Sequence, residues 1–274
     1  MRFLQIGAVL ILVISLLFTG WVNNRYYRNL NTDYPEITNS LESLEISVQD
    51  PPEAIVQGLQ ARDATDGDLT DQILVASVSH FLEPGTVNVT YVVFDRHNNS
   101  AKLTRRVHYK DYTSQVFSLE KAPVYSVGSP FDLLDFVGVE DCLDGDISDR
   151  IRVISNMVNN YASGSYPVML EVSNSCGDTA QITLWVTYQS KESTAVIKLH
   201  RHIVYVQQGD PFDPQQWLAA VTDKNAVDLD AGKVTFQGNL DTNTPGCYQM
   251  AYSYDDGILT GQTPLTVVVT ERQD

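Results

Sequence analysis

Residues 139–148 read VEDCLDGDIS, four carboxylates and a cysteine within ten residues. Residues 61–70 read ARDATDGDLT, and the two segments align so that Asp63, Asp66, Gly67 and Asp68 fall on Asp141, Asp144, Gly145 and Asp146, 78 residues on. Asp and Gly clusters of this kind make turns: Asp bonds its own backbone, and Gly takes positive φ without strain. They also supply oxygen ligands to hard cations. Which reading applies depends on what the copies belong to.

The rest of the chain keeps the same spacing. Turns into a strand start at Gly85, Gly164 and Gly246, 79 and 82 residues apart. AKLTRRVHY, AQITLWVTY and QTPLTVVVT close the copies, and GSPFD at 128–132 returns as GDPFD at 209–213. A period near 80 predicts three copies of one module. Each copy alternates apolar and polar residues over five to eight positions, as in QITLWVTY (181–188), between segments rich in Asn, Asp, Gly and Ser. That is the pattern of half-buried strands joined by hairpins. The fold class is therefore all-β, three tandem β-sandwiches at 31–112, 113–192 and 193–274.

The shared pattern is D-x-x-DGD-[IL]-[ST], a short strand, a glycine turn into a strand, and a hairpin tip before the last strand. It resembles the bacterial immunoglobulin-like domains found in tandem on surface proteins, including that of Cry22-type pesticidal crystal proteins. The resemblance implies extracellular spacing or adhesion, and it carries no catalytic residue over. The third copy departs from it: VTDKNAVDLDAGKV (221–234) holds Asp223, Asp228 and Asp230 but no DGD.

Strand direction alternates along a meander, so the acidic loop and the hairpin tip NSCGD (174–178) are expected at one end of the second module. Each module is expected to begin at that same end. Asp141, Asp144, Asp146 and Asp149, with Asp63, Asp66, Asp68 and Asp71 in the first module, are then either turn formers or calcium ligands at a junction. The turn reading weighs more, because the spacing is not that of an EF-hand loop. Cys142 and Cys176 meet at this end and are expected to form a disulfide, worth about 3–4 kcal/mol by chain entropy. The third cysteine, Cys247, falls at the opposite end of its module and is expected to stay a free thiol or to pair between chains. His200 and His202 share a strand face without a third ligand, and Asp255–Asp256 reads as a hairpin tip. No nucleophile, zinc-protease or P-loop motif occurs, so the protein is expected to be no enzyme. No cofactor is expected apart from the calcium alternative.

Residues 1–30 are a separate object. Phe3 to Val22 is uncharged, long enough as a helix for a hydrocarbon core of about 30 Å, and lacks a small-residue cleavage pattern. It is read as an uncleaved transmembrane signal anchor, with the N-terminus in the cytoplasm and the β-modules outside. The net charge is −16, and the first thirty residues hold three arginines and no acid, so the remainder is more acidic still. Such a surface repels nucleic acid. The partners expected are the membrane, through residues 3–22, and an unidentified protein or glycan ligand. The chain reads as a membrane-anchored adhesion or spacer stalk. Its alternatives are a calcium-stiffened or glycan-binding surface module, or an accessory subunit of an envelope assembly. Modules stacked end to end would reach about 100 Å.

Overall fold

The computed structural model describes residues 13–25, 33–190 and 194–272. Residues 13–25 are helical. Among the described residues no helix is long and apolar enough to cross a membrane; residues 3–12 of the expected span lie outside them. The remainder is β-structure in two compact units that divide between Lys110 and Asp111.

The first unit contains β1 (Glu36–Asn39), β2 (Ser43–Ile46), β3 (Leu59–Asp63), β4 (Gly67–Asp68), β5 (Leu74–Val78), β6 (Thr86–Phe94) and β7 (Ser100–Tyr109). Two sheets form, β1-β3-β4 and β2-β7-β6-β5. The opening segment changes sheets: β1 runs antiparallel to β3, whereas β2 runs parallel to the end of β7. Val87, Val89, Tyr91 and Val93 alternate inward from β6, and Leu59 and Ala61 of the small sheet are buried as well. A period of two with β-branched and aromatic residues is what this half-buried surface needs. The tyrosine also has its polar end satisfied, since the Tyr91 hydroxyl donates to the Ile55 carbonyl at 2.6 Å.

One inward position departs from the apolar pattern. Arg105 of β7, 3% exposed, stands where the second module has Leu184. Its guanidinium donates to the carbonyls of Gln57 (2.7 Å) and Ile55 (2.9 Å) and to Asn39 Oδ1 (3.1 Å), and lies over the Tyr91 ring. It ties the 3-10 turn Pro52–Val56 and the end of β1 to the large sheet.

The second unit holds two further modules. One comprises β8 (Val116–Leu119), β9 (Val124–Ser126), β10 (Val137–Asp141), β11 (Gly145–Asp146), β12 (Arg152–Asn156), β13 (Gly164–Ser173) and β14 (Thr179–Gln189). Its sheets, β8-β10-β11 and β9-β14-β13-β12, repeat those of the first module. Even the bulge in β5 between Val75 and Ser77 returns in β12 between Val153 and Ser155. The other comprises β15 (Ala195–Leu199), β16 (Ile203–Gln207), β17 (Leu218–Asp223), β18 (Val234–Gly238), β19 (Gly246–Asp255) and β20 (Thr260–Thr270), in sheets β15-β17 and β16-β20-β19-β18.

These two modules lie side by side, which corrects the end-to-end arrangement expected for them. β9 pairs only with the last three residues of β14, so most of that β14 edge has no strand neighbour. The outer face of the third module's large sheet fills the space. Ile203, Tyr205, Cys247 and Val268 pack against the second module's core. The β14 edge carbonyl of Thr183 accepts from Cys247 Sγ at 3.3 Å, and Gln189 Oε1 accepts from the Gln262 N–H at 3.1 Å. On β8, the Phe117 N–H donates to the Tyr205 hydroxyl at 2.7 Å. Unpaired sheet edges invite foreign strands; here a neighbouring module covers two of them.

Candidate functional site

The acidic loops and hairpin tips come together in both of the first two modules, as strand alternation predicts. Every residue of the repeated pattern has a defined task. The first aspartate caps the turn: Asp63 Oδ1 accepts from the N–H groups of Thr65 and Asp66 (both 2.8 Å), and Asp141 Oδ1 from those of Leu143 (2.8 Å) and Asp144 (2.9 Å). The second aspartate grips the hairpin tip. Asp66 Oδ2 accepts from the Arg96 N–H at 2.8 Å, and Asp144 Oδ2 from the Ser175 N–H at 2.7 Å. Gly67 and Gly145 stand at φ +79° and +70°, where a side chain would be strained. The third aspartate caps the next turn through the N–H of Thr70 (2.9 Å) or Ser148 (3.0 Å). Leu69 and Ile147 enter the cores. Thr70 and Ser148 accept from the N–H groups of Ala61 and Val139.

These bonds set the electrostatics. Burial works against ionisation of Asp144, but the bonds from Ser175 and the Arg150 guanidinium outweigh it and hold the carboxyl below its usual range. Bonds from Ser148 do the same for Asp146, and bonds from Thr70 for Asp68. Asp71 and Asp149 are exposed in the following 3-10 turns. Among the described residues no three His, Cys, Asp or Glu side chains converge to hold a metal ion. Asp63, Asp66 and Asp68, like Asp141, Asp144 and Asp146, act in the structure as turn caps and as a clasp that binds loop to hairpin. The His202 ring is half-buried, and burial pushes its pKa down.

The cysteines differ from expectation. Cys142 and Cys176 do lie at one pole, but as separate thiols, so the expected disulfide is not formed. Cys142 Sγ turns to the Thr113 carbonyl at 3.1 Å. The buried Cys176 thiol is pushed up by desolvation, with Asp144 and Asp141 adding to it. The third, Cys247, lies against Thr183 of the neighbouring module, and burial raises its pKa.

The third module keeps the turn without the DGD letters. Asp223 Oδ1 accepts from Asn225 (2.8 Å) and Val227 (2.9 Å), and the Leu229 N–H reaches the Val221 carbonyl (2.8 Å), as Ile147 reaches Val139. Ala226, at φ +63°, occupies the position of the gripping aspartate. Sequence reading also missed the network behind the clasp. Gln115 and Asn174 donate to Asp141 Oδ2 at 3.0 and 3.1 Å, and the Tyr112 hydroxyl donates to Asp178 at 2.5 Å. Tyr112 thus belongs to the second module, one residue beyond the expected boundary. A polar Gln in a strand's alternation was the available signal.

Residues 200–265 match the family described as bacterial surface protein, Ig-like domain. The pesticidal crystal protein Cry22Aa of Bacillus thuringiensis is 28% identical over 204 residues, which span 72% of this chain and 27% of that protein. The chain thus spans about a quarter of that relative's length. Distant structural similarity extends to the catalytic domain of Clostridium perfringens ZmpB with its two CBM51 domains (12% identity, TM-score 0.25, 89% of this chain and 31% of that one). It extends also to a lipoprotein of Bacteroides thetaiotaomicron (13% identity, TM-score 0.21, 85% and 99%). The family match falls on the module that departs most from the DGD pattern. Residues 200–265 thus match a bacterial surface Ig-like domain, and the internal repeat makes them one of three related modules in this chain.

Proposed function

We propose that this protein is a membrane-tethered, non-catalytic array of β-sandwiches that holds and presents a contact surface outside the cytoplasm. The observation that carries this reading is the bacterial surface Ig-like match at 200–265, within a period that extends to residue 33. The uncharged stretch from Phe3 to Val22 supports the tether. An adhesive role, beyond spacing alone, is supported by the edge strand β5. All of its residues are exposed, among them Leu74, Val75 and Val78, and Leu82 and Phe94 are exposed as well. Exposed apolar strand edges are where a partner strand or surface binds.

Protease shaving of intact bacterial cells that express the full chain tests the placement. Peptides from residues 33–272 should be released without lysis while the chain stays with the membrane fraction. Full protection until lysis would contradict it. Binding of the full chain to immobilised envelope proteins and glycans, compared with Leu74→Lys/Val78→Lys, then separates adhesion from spacing: an adhesive role requires binding that the double substitution abolishes.

A further inference from the structure

The two acidic poles differ at one point. In the second module both oxygens of buried Asp141 are used, Oδ1 by the turn and Oδ2 by the side-chain amides of Gln115 (3.0 Å) and Asn174 (3.1 Å). In the first module Asp63 is only 2% exposed and its Oδ1 makes the same turn bonds, but Oδ2 is buried with no hydrogen-bond partner. The sequence shows why. Strand register places Pro35 where the second module has Gln115, and the hairpin alignment places Asp95 where it has Asn174. One donor is deleted and the other becomes a carboxylate. The equivalence of the two poles is fixed independently by the matching bonds of Arg96 to Asp66 and Ser175 to Asp144.

Asp95 is itself 5% exposed. Its Oδ1 accepts from the N–H groups of His97 and Asn99 (both 2.8 Å), and its Oδ2 from the Asn99 amide (2.7 Å). Two buried carboxylates at one pole, one with a bare oxygen, are unfavourable without a positive partner. We propose that Asp63 and Asp95 hold a divalent cation, calcium by preference, at the pole of the first module. The donors are hard oxygens on loops, which suits calcium's flexible coordination better than magnesium's demand for a near-ideal octahedron. A cation fits better than a shared proton. The Asp95 carboxylate accepts three N–H donors, an arrangement that suits its charged form. With two protein carboxylates the affinity falls in the class of extracellular modules, about 10⁻⁴–10⁻³ M.

Hydrogen exchange of the full-length chain in detergent, with EDTA or with about 5 mM calcium chloride, tests this. Calcium should slow exchange several-fold at 61–69 and 94–100, and leave the matching segments 139–147 and 173–179 unchanged. Asp95→Asn rebuilds the second module's arrangement. It should protect 61–69 in EDTA and abolish the calcium response. No calcium response in the natural chain, or one that persists in Asp95→Asn, overturns the proposal. Protection that rises on acidification towards pH 5 without any calcium effect assigns the pair a proton instead and overturns it too. Should Asp95→Asn fail to fold, calcium titration calorimetry of the natural chain, with no saturable heat up to ~10 mM, still decides against the site.

Discussion

Asp144 concentrates the physics of the clasp in one side chain. It accepts from the N–H and hydroxyl of Ser175 and pairs with Arg150. Asp144→Ala should lower stability by about 1–2 kcal/mol, since it leaves hairpin-tip donors without an acceptor at a partly exposed site. Urea denaturation with unchanged m-value is the check. Gly145→Ala should cost a similar amount, about 1–2 kcal/mol, through the left-handed backbone alone. The pH dependence has a definite sign. The folded-state pKa values of Asp144 and Asp146 are depressed, so their contribution is complete above the unfolded carboxylate value, about 3.9. It is lost as pH falls through the lower folded values. Melting temperature should be flat from pH 7 to 5 and fall below about pH 4; a fall beginning near pH 6 would contradict the clasp.

At the scale of elements, the strands were legible because period-two patterning and glycine turns are local signals. QITLWVTY does place Ile182, Leu184, Val186 and Tyr188 in the core. The loop–hairpin contact was legible from strand alternation. What the sequence concealed depended on partners far along the chain. The task of each aspartate turned on which N–H groups it faces. The pairing of two cysteines turned on where Cys142 Sγ points. Packing of β14 against β20 was hidden because Thr183, Thr187, Thr266 and Val268 alternate like any solvent-facing row. Tyr205 marks that interface: burial pushes its hydroxyl up to about 12, and it accepts from Phe117. Tyr205→Phe should leave the Phe117 N–H without its acceptor and weaken the contact by about 1–2 kcal/mol. The readout is alkylation of Cys247, which lies under the same contact: slow in the natural chain and faster in the variant. Equal rates would show that the contact does not control access.

At the scale of the whole molecule, three copies of one sandwich serve two different ends. The first forms a compact unit of its own, with a buried arginine where the second has Leu184 and with one Asp63 oxygen unpartnered where its counterpart Asp141 accepts from two amides. The second and third share a packed interface in which the third module's sheet covers the edges of β8 and β14. A surface module gains from such coverage, because the strand edges left exposed, β5 above all, are then the ones available to partners. The most direct measurement is urea-dependent hydrogen exchange along the full chain. Strands β8–β14 and β15–β20 should lose protection at one common midpoint, with β1–β7 following its own. Separate midpoints for the second and third modules, unmoved by Tyr205→Phe, would contradict the shared packing.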